Sequence, residues 1–489
     1  MKTYKVFVDN EWKNGRTGEF IPSYNPCNQE IWAQIPLLSK EEISETVEVA
    51  HDAFRTWKET NGLERARLLN RLADLIEENV EHLARIESSD NGKVLSETRN
   101  QVLFTARNYR YFAGYADKLM GNLIPLDNQE LLDYTTLEPI GVVAIITAWN
   151  SPLPLLANKL APALATGNTV VIKPSEYASA STLEFAHLIE EAGFPRGVVN
   201  VVTGNGATGD ALVRHRLVGK VSFTGGTNTA RVISKAVSDN LIPISLELGG
   251  KSPNIIFEDA DLEKAVVGAI AGIFGAAGQT CIAGSRLLVQ RSVLEVVKDE
   301  LVAITNSIKL GDPFEESTQM GPVANKNQFD KILSMINEAK QEGAELLCGG
   351  SALENDNLKG YFIKPTIFYT EDPKITIACE EIFGPVLTIL PFDHVDHAIE
   401  LANDSIYGLA AGIWTRDLQK AHKTAKQLEV GNVWVNTYRT SQVGTPFGGM
   451  KQSGFGRERS WHTLHEYTQT KNVMINLSDD KRNPFMMQI

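Results

Sequence analysis

One cysteine lies in a run of small residues that leaves room for a ligand beside its sulfur. Cys281 occurs in FGAAGQTCIAGSR (274–286), where only four residues between Gly275 and Gly284 are neither glycine nor alanine. A reactive thiolate requires a polar, accessible setting, which small residues and backbone amides supply. A buried structural thiol is the alternative, because such cysteines are common in protein cores. Cys281 is therefore a candidate nucleophile, with the structural alternative open.

Two further residues carry groups that a cysteine nucleophile needs. Glu247 stands near the end of the predicted strand ISLEL (244–248), between two leucines, where a carboxylate is costly to bury. This setting favours a cleft position for Glu247, and exposure at the surface is the alternative. Asn150 follows the predicted strand GVVAIIT (141–147), and its amide is a donor for a developing oxyanion.

Asn150 follows, and Glu247 lies near the end of, a short apolar run of the kind that is typical of a parallel sheet. The runs are rich in β-branched residues and alternate with helical stretches, which predicts βαβ units. They cover residues 141–147, 168–173, 198–203, 220–224 and 244–248. Ligands of such sheets bind at the carboxyl ends of the strands, so we expect a binding site there.

Glycines at these strand ends predict a phosphate site. GNGATG (204–209) matches GxGxxG, and GGTNTA (225–230) follows the next strand. Backbone amides at the start of a helix bind phosphate groups. No acidic residue follows that next strand to hold a ribose. The pattern therefore predicts a dinucleotide site that departs from the standard arrangement.

A second α/β region follows, and helices precede the first. A helix over 261–278, ending in glycine, leads to the cysteine loop. An amphipathic helix is predicted over 41–58, with Ser39 and Glu42 as its capping box. The next helix carries on one face Leu68, Leu72, Ile76, Val80 and Leu83. The strands expected in the second region cover 253–259, 366–370, 385–390, 409–415 and 430–436.

Charge and composition exclude several classes of protein. The 489 residues carry a net charge of −13, which disfavours a general nucleic-acid or anionic-membrane binder. No run of ~20 apolar residues predicts a membrane span, and the N-terminus lacks an apolar signal core. Four cysteines form no disulfide framework, and neither CxxC nor a histidine spacing indicates a metal. A cytoplasmic enzyme of two or three domains is expected.

Seven motifs in order give the chain a family resemblance. They are AWNSP (148–152), KPSE (173–176), FTGG (223–226), LELGGKSP (246–253), GQTCIAGSR (278–286), EEIFGPV (380–386) and PFGGMKQSGFGRE (446–458). With these motifs the chain resembles the NAD(P)-dependent aldehyde dehydrogenase superfamily over essentially its whole length.

The resemblance implies a reaction and roles for five residues. Cys281 would attack an aldehyde to form a thiohemiacetal, whose oxyanion Asn150 and the Cys281 N–H would hold. Hydride transfer would leave a thioester, and Glu247 would activate the water that hydrolyses it. Lys159 and Glu458 match positions linked to a proton relay, although a structural ion pair is an equal alternative.

The resemblance also implies the cofactor site. Glu176 beside Lys173 would meet the ribose hydroxyls, and a carboxylate there repels a 2′-phosphate, so NAD is favoured over NADP. Gly226 stands where many relatives have serine, so one phosphate contact is expected to be lost. The expected cofactor-binding residues are Thr147, Ala148, Trp149, Lys173, Ser175, Glu176, Gly206, Phe223, Gly225, Gly226, Leu248, Glu381 and Phe383.

The expected substrate tunnel departs from common family patterns. Ser151 and Asn158 replace bulky aromatic residues, which suggests a wider, more polar tunnel for a bulky or functionalised aldehyde. Arg439 could meet a substrate carboxylate, although a solvated loop arginine is favoured. The expected tunnel residues are Phe104, Ser151, Leu155, Asn158, Thr280, Ile282, Arg439 and Phe447.

The expected fold is α/β, with a Rossmann-like parallel-sheet cofactor domain, a second α/β catalytic domain and a small β-strand oligomerisation arm. The cofactor domain would take 1–120 and 140–248, and the catalytic domain 249–448. The arm, from 121–139 and 466–489, would join a homodimer or homotetramer.

Two other functions compete with aldehyde oxidation. A CoA-acylating relative would end in transfer of the acyl group to a thiol, but such relatives often lack a glutamate at the position of Glu247. A non-catalytic binding or structural role is the other candidate. The presence of Cys281, Glu247 and Asn150 together argues against it.

Overall fold

The computed structural model of the chain describes residues 1–355 and 357–479. Its helices begin with the predicted amphipathic one, whose capping box between Ser39 and Glu42 is confirmed. The α-helices of the described residues are α1 (Lys40–Trp57), α2 (Gly62–Glu78), α3 (Val80–Asn91), α4 (Leu95–Ala113), α5 (Pro152–Ala165), α6 (Ala180–Ala192), α7 (Gly206–Val213), α8 (Thr227–Ser238), α9 (Leu262–Phe274), α10 (Leu294–Ser307), α11 (Lys326–Gln341), α12 (Thr376–Cys379), α13 (Val395–Asn403), α14 (Leu418–Gln427) and α15 (Thr463–Glu466).

The strands form two large sheets and three small ones. Those of the described residues are β1 (Lys2–Thr3), β2 (Val6–Val8), β3 (Glu11–Lys13), β4 (Phe20–Tyr24), β5 (Ile31–Pro36), β6 (Leu123–Ile124), β7 (Leu131–Pro139), β8 (Val142–Ile146), β9 (Thr169–Lys173), β10 (Val199–Val201), β11 (Val218–Thr224), β12 (Ile244–Glu247), β13 (Pro253–Ile256), β14 (Arg286–Gln290), β15 (Glu345–Cys348), β16 (Thr366–Tyr369), β17 (Val386–Phe392), β18 (Tyr407–Gly408), β19 (Ala410–Trp414), β20 (Asn432–Val435), β21 (Met450–Lys451), β22 (Gly454–Phe455) and β23 (Thr468–Asn476).

The first large sheet confirms the predicted parallel strands. Its order is β22-β12-β11-β8-β9-β10-β2-β3, and the five central strands β12, β11, β8, β9 and β10 run parallel to one another. β8 and β9 are buried along their whole length, as expected of β-branched runs covered on both faces. β22 adds antiparallel to β12, with Glu247 opposite Gly454. The residues after 446 therefore close the edge of the sheet beside Glu247.

The second large sheet has the order β15-β16-β17-β14-β13-β19-β20 and is parallel except at β15. All five strands predicted in this region are present. β14 was not predicted, although it follows the cysteine loop directly and leads that loop into the centre of the sheet.

A separate three-stranded sheet joins two distant parts of the chain. β23 pairs antiparallel with β7 from Thr468 opposite Pro139 to Asn476 opposite Leu131, and β6 covers the other side of β7. Most residues of β23 are exposed. These strands coincide with much of the segments expected to form the oligomerisation arm. The part of that expectation over 480–489 lies outside the described residues.

Two helix predictions are wrong in extent. The helix expected to carry both Leu68 and Leu83 ends before Asn79, whose backbone leaves the helical region (φ −110°, ψ 19°) and whose amide donates to the Leu75 carbonyl. Leu83 thus belongs to α3. The helix predicted over 261–278 ends at Phe274, because the backbone then turns left-handed at Ala276, Ala277 and Gly278.

Across residues 1–355 and 357–479, none of the helices has the length and apolarity that a bilayer crossing requires.

Candidate active site

Two adjoining cavities open at the carboxyl ends of the first sheet's strands. The larger one has a volume of about 520 Å³ and the other, which contains Cys281 and is called the thiol cavity here, about 190 Å³. Ala148 and Trp149 after β8 line both, together with Thr224, Gly225 and Gly226 after β11. A ligand in the larger cavity can therefore extend towards the cysteine.

The larger cavity brings together most of the expected cofactor residues. Those that line it are Thr147, Ala148, Trp149, Lys173, Ser175, Glu176, Gly206, Phe223, Gly225 and Gly226. The motifs GNGATG and GGTNTA mark the starts of α7 and α8, but the expected cofactor residues did not include most side chains of these helices that line the cavity, nor Tyr177. The missed residues include Tyr177, Gly209, Asp210, Val213, Asn228, Thr229, Val232 and Ile233.

Two helix N-termini face this cavity. α7 begins at Gly206, after the N-cap residue Asn205. α8 begins after Gly226, which occupies the N-cap position but has no side chain to form a capping hydrogen bond. A helix N-terminus presents unpaired N–H groups and a partial positive charge. Gly225 lies against Phe223, where a Cβ would come within 2.4 Å of the ring. The wall is thus suited to a phosphate group that approaches the backbone closely.

Lys173 and Glu176 form the polar pair of the larger cavity. Lys173 ends β9, is 4% exposed, and its Nζ lies 3.7 Å from a carboxylate oxygen of Glu176. Burial lowers the pKa of Lys173, and the charge of Glu176 opposes that shift. The lysine Nζ also donates to the Pro174 carbonyl at 3.0 Å. Glu176 is the more exposed partner, so its carboxylate is free to accept hydrogen bonds from a ligand.

The thiol cavity is built on a left-handed turn. Ala276, Ala277 and Gly278 have φ values of 55°, 51° and 72°, which reverse the chain between α9 and Cys281. A Cβ on Gly278 would lie 2.0 Å from the Gly384 carbonyl oxygen. Glycine therefore allows the cysteine loop to lie directly against the segment that contains Glu381 and Phe383.

Cys281 and Asn150 meet in this cavity. Burial, followed by the charges of Glu247 and Glu381, raises the pKa of the Cys281 thiol to about 12. The Asn150 Nδ2 donates one hydrogen bond to the Gln279 carbonyl at 3.0 Å, and an amide nitrogen carries two N–H groups. The Cys281 backbone N–H donates to no atom of the described residues. Two donors are thus available beside the sulfur.

Glu247 ends β12 and lines the same cavity. Burial, followed by the negative charge of Glu458, raises its pKa well above the ordinary value. Glu458 forms a buried ion pair with Lys159 on α5. A Cβ on Gly448 would lie 2.9 Å from the Glu247 carboxylate, so the backbone of that loop approaches the acid closely. Burial therefore favours the protonated form of the Glu247 carboxyl.

The loop from Glu381 to Phe383 closes the far side of the thiol cavity. The Glu381 carboxylate accepts from the Gly250 N–H at 3.0 Å, and the Phe383 ring meets Trp149 edge-on at 5.3 Å. Lys331 donates to the Glu381 carbonyl, and Gln328 to the Phe383 carbonyl. Both α11 side chains line the cavity but were missed, because no motif surrounds them in the sequence. Leu248 also lines this cavity.

The expected tunnel residues occupy different positions around Cys281. Leu155 lines the thiol cavity, and Cys281 packs against Ile282 and Phe447 in one small apolar cluster. Thr280, immediately before the cysteine, is half-buried. Asn158 is fully enclosed and accepts a hydrogen bond from Asn108 at 2.7 Å, so it is not exposed to open space.

Two further expected tunnel residues, Ser151 and Arg439, form hydrogen bonds with other parts of the protein. Ser151 accepts from the buried Lys93 ammonium at 2.5 Å. Arg439 is half-buried and donates to the Ala271 and Gly275 carbonyls, whereas a solvated loop position was expected.

Phe104 lies under a charged group that the sequence analysis did not single out. The Arg459 guanidinium stands 5.4 Å from its ring centroid. This arginine directly follows Glu458 in the chain.

Within the described ranges, no group of three His, Cys, Asp or Glu side chains is arranged to hold a metal.

Comparisons with known proteins place the chain in one family. The model of the aldehyde dehydrogenase family matches residues 12–473. The mitochondrial aldehyde dehydrogenase of Homo sapiens is 45% identical over 480 residues, which cover 97% of this chain and 92% of that protein.

Solved structures agree with that match. A structure of aldehyde dehydrogenase from Bacillus cereus in complex with NAD⁺ is 44% identical, with a TM-score of 0.95 and 97% of each chain covered. Betaine aldehyde dehydrogenase from Staphylococcus aureus, in complex with NAD⁺, is 39% identical, with a TM-score of 0.97 and coverage of 99% of this chain and 97% of that chain. The chain belongs to the aldehyde dehydrogenase family, whose members oxidise an aldehyde to a carboxylic acid with NAD.

Proposed function

We propose that Cys281 is the nucleophile of this aldehyde dehydrogenase and that Asn150 and Glu247 act with it. The observation that carries the proposal is the meeting of all three side chains in one cavity of about 190 Å³. Each comes from a different part of the chain, Asn150 from the end of β8, Glu247 from the end of β12 and Cys281 from the turn after α9. A covalent catalyst needs a nucleophile with a base nearby and donors for the developing oxyanion, and these three side chains supply those groups.

The first chemical step forms a bond between sulfur and carbon. The Cys281 thiolate attacks the aldehyde carbon, and the carbonyl electrons move to oxygen. The free N–H of the Asn150 amide and the Cys281 backbone N–H stabilise that oxyanion. NAD, held by the residues that line the larger cavity, would supply the hydride acceptor for this step, and Cys281 would then carry the acyl group as a thioester.

The second step hydrolyses the thioester. Glu247 accepts a proton from a water molecule as that water attacks the acyl carbon. The carboxylic acid leaves and the thiolate is restored. The buried Lys159–Glu458 pair beside Glu247 is proposed to receive and pass on the proton, since the Glu458 charge already raises the pKa of Glu247. A purely structural ion pair remains the alternative for these two residues.

The residues of the larger cavity suit NAD. Its volume, the two helix N-termini and the close backbone approach at Gly225 fit a dinucleotide with its pyrophosphate. We propose that Glu176 and Lys173 hold the adenine ribose and that Glu381 and Phe383 hold the nicotinamide half. Because Glu176 offers a negative charge to the ribose, NAD is the preferred cofactor and NADP a poor one.

Assembly and location are also proposals. We infer a homodimer or homotetramer joined through β7 and β23, because Leu123, Leu132 and Met474 of this sheet leave large apolar surface exposed. The domain limits stay as expected from the sequence, at 1–120 with 140–248 and at 249–448, with 121–139 and 466–489 as the arm. Four free cysteines and the acidic surface favour the cytoplasm.

Substitution of Cys281 tests the proposal. Cys281→Ala removes the covalent bond and leaves the larger cavity intact, so NADH formation should fall below a few per cent of wild type while NAD affinity, measured by calorimetry, is retained. Cys27→Ala is the matched control, because Cys27 is a half-buried thiol that lines neither cavity. Turnover by Cys281→Ala close to that of the control would remove Cys281 as the nucleophile.

A further inference from the structure

A half-buried arginine, Arg459, lies against the apolar cluster that contains Phe447 and on which Cys281 packs, outside the residues that line the two cavities. The Arg459 guanidinium carbon stands 4.1 Å from the ring centroid of Phe447 and 5.4 Å from that of Phe104. Phe447 packs in the same apolar cluster as Cys281 and Ile282. Phe447 and Phe104 are both expected tunnel residues. The cation is therefore one side chain away from the thiol, in the wall of the proposed aldehyde tunnel.

Arg459 has few partners for its five N–H donors. Nη1 donates to the Ser441 hydroxyl at 3.1 Å, and the enclosed Nε donates to no atom in the described part of the chain. No carboxylate of residues 1–355 and 357–479 lies within 4.0 Å of the guanidinium. Burial of the guanidinium lowers the pKa of Arg459, and the charges of Glu458, Cys281 and Glu247 oppose that shift. Desolvation of the cation carries a cost that these more distant charges and the two aromatic rings offset only in part.

The backbone at this position is also unusual. Arg459 has a φ of 68°, in the region that favours glycine, although its side chain is long and charged. The conformation is held by hydrogen bonds between the flanking segments, from Gly444 to Arg459 and between Phe447 and Glu458. Strained residues that the surroundings hold in place are concentrated at functional sites. The local fold thus directs the guanidinium onto the two rings at a cost in backbone energy.

Two more cations lie around the same thiol. Lys93 is 4% exposed, and its ammonium donates to the Gln101 carbonyl oxygen at 3.0 Å and to Ser151. Burial lowers the pKa of Lys93, and the thiol charge of Cys281 is among the groups that oppose this shift. Arg439 donates to backbone carbonyls of the turn before the cysteine. Neither cation has a carboxylate within 4.0 Å in the described ranges.

The carboxylates that face this region do not neutralise Arg459 directly. Glu458 is paired with Lys159, and burial raises the pKa of Glu247, which reduces its average charge. Glu97 accepts from the Ala276 N–H. Glu87, the acid whose charge acts most strongly on Lys93, has a pKa raised to about 7, again by burial first. Arg459 therefore has no carboxylate of the described residues as a direct partner, although Glu458 and Glu247 act on it at longer range.

We infer that Arg459 binds an anionic group of the substrate, so that the aldehydes this enzyme prefers also carry a carboxylate. The inference rests on the proposed function, since it requires the aldehyde to reach Cys281 past Phe104 and Phe447. A carboxylate accepts two parallel hydrogen bonds from a guanidinium, which the two Nη atoms of Arg459 would donate. Ser151, another expected tunnel residue, accepts a hydrogen bond from Lys93 and adds a polar group to this region.

The test compares substrates that differ only in charge. We would measure kcat/KM for a series of ω-oxo acids and for their methyl esters, which keep the skeleton and remove the charge. Wild type should prefer the acids by at least about tenfold, equivalent to ~1.4 kcal/mol. Arg459→Met should abolish that preference with little change for the esters, and Arg459→Lys should restore part of it.

Two controls separate charge recognition from other effects. Arg457→Met removes an arginine two positions away, whose Nη1 donates to the Gly449 and Gly456 carbonyls, and should leave the ratio of acid to ester unchanged. Calorimetric titration of wild type with the dicarboxylate product gives a readout independent of turnover. Binding of that dicarboxylate should be lost in Arg459→Met.

The outcomes distinguish a failure of the inference about Arg459 from a failure of the proposed function. If wild type oxidises esters as well as acids, or if Arg459→Met keeps the preference, the inference is wrong and the proposed function stands, with Arg459 as a brace for Phe447. If neither kind of aldehyde yields NADH, the proposed function fails and the inference with it. If the Arg459 variants do not fold, the wild-type ratio and the dicarboxylate titration decide alone.

Discussion

Replacing Glu176 with threonine should weaken the preference for NAD over NADP. In the proposed complex the Glu176 carboxylate accepts hydrogen bonds from ribose hydroxyls, and an added 2′-phosphate would bring a second negative charge against it. Threonine retains a hydroxyl but removes the charge and shortens the side chain. Lys173, whose Nζ lies 3.7 Å from Glu176, would then be free to face the phosphate.

The size of the effect follows from exposure and distance. Two unit charges ~5 Å apart interact by about 3 kcal/mol at an effective dielectric constant of ~20 and by about 0.8 kcal/mol in bulk water. The Glu176 side chain is 33% exposed and has Lys173 beside it, so the repulsion lies between these limits. With ~1.4 kcal/mol for each factor of ten, wild type should prefer NAD by about tenfold or more in kcat/KM.

The assay is kcat/KM for each cofactor at saturating aldehyde, in wild type and in Glu176→Thr. Asp210→Asn is the matched control, because Asp210 lines the same cavity on α7 but is bonded to Arg214 at 2.9 Å. The ratio should fall in Glu176→Thr and stay constant in Asp210→Asn. Equal use of both cofactors by wild type, or an equal change in both variants, would refute the reasoning and leave the ribose to other residues.

Two further predictions concern the thiol cavity. Glu247→Gln keeps the shape of the side chain and removes the base. A burst of NADH should therefore precede slow thioester hydrolysis in stopped-flow traces. A first turnover as slow as the later ones would instead indicate that Glu247 is the base that deprotonates the Cys281 thiol. Because the pKa of Glu247 is raised and only its ionised form accepts a proton, hydrolysis in wild type should accelerate as pH rises through that value, and the variant should lack this rise. Gly278→Ala should lower the Tm by more than Gly343→Ala and also reduce kcat. Both glycines have positive φ, which costs about 1 kcal/mol for alanine, but only Gly278 faces a carbonyl oxygen 2.0 Å from the added Cβ. Equal losses in the two glycine variants would show that the contact with Gly384 is unimportant.

Strands and strand ends could be predicted from the sequence because their signals are local. The run GVVAIIT predicts β8, because a short run rich in β-branched residues is typical of a strand that is buried on both faces. Once a parallel sheet is predicted, Asn150 and Glu247 must lie at the same edge of it. Cys281 was recognised from its small neighbours, and the same small residues form the turn that presents it.

The remaining errors arise where structure depends on contacts between distant segments. Gly278 interrupts a helical pattern because it must approach Gly384, more than a hundred positions later, and no periodicity in residues 261–278 records that partner. Asn158 was expected to face the tunnel by its place in a motif, yet Asn108 on a neighbouring helix holds its amide in the interior.

Arg459 shows the same limit from the other direction. In the sequence, Arg459 is a charged residue that follows Glu458, and nothing in the pattern distinguishes it from a solvated surface arginine. Its position depends on β22 adding to the edge of the first sheet beside Glu247, which turns the segment back on itself and pairs Phe447 with Glu458. Only that reversal sets the guanidinium across Phe104 and Phe447. The chemistry common to the family is thus encoded in motifs that a sequence displays. The proposed choice of substrate depends on a side chain, Arg459, whose contacts with Phe104 and Phe447 form only when three separate segments are folded together.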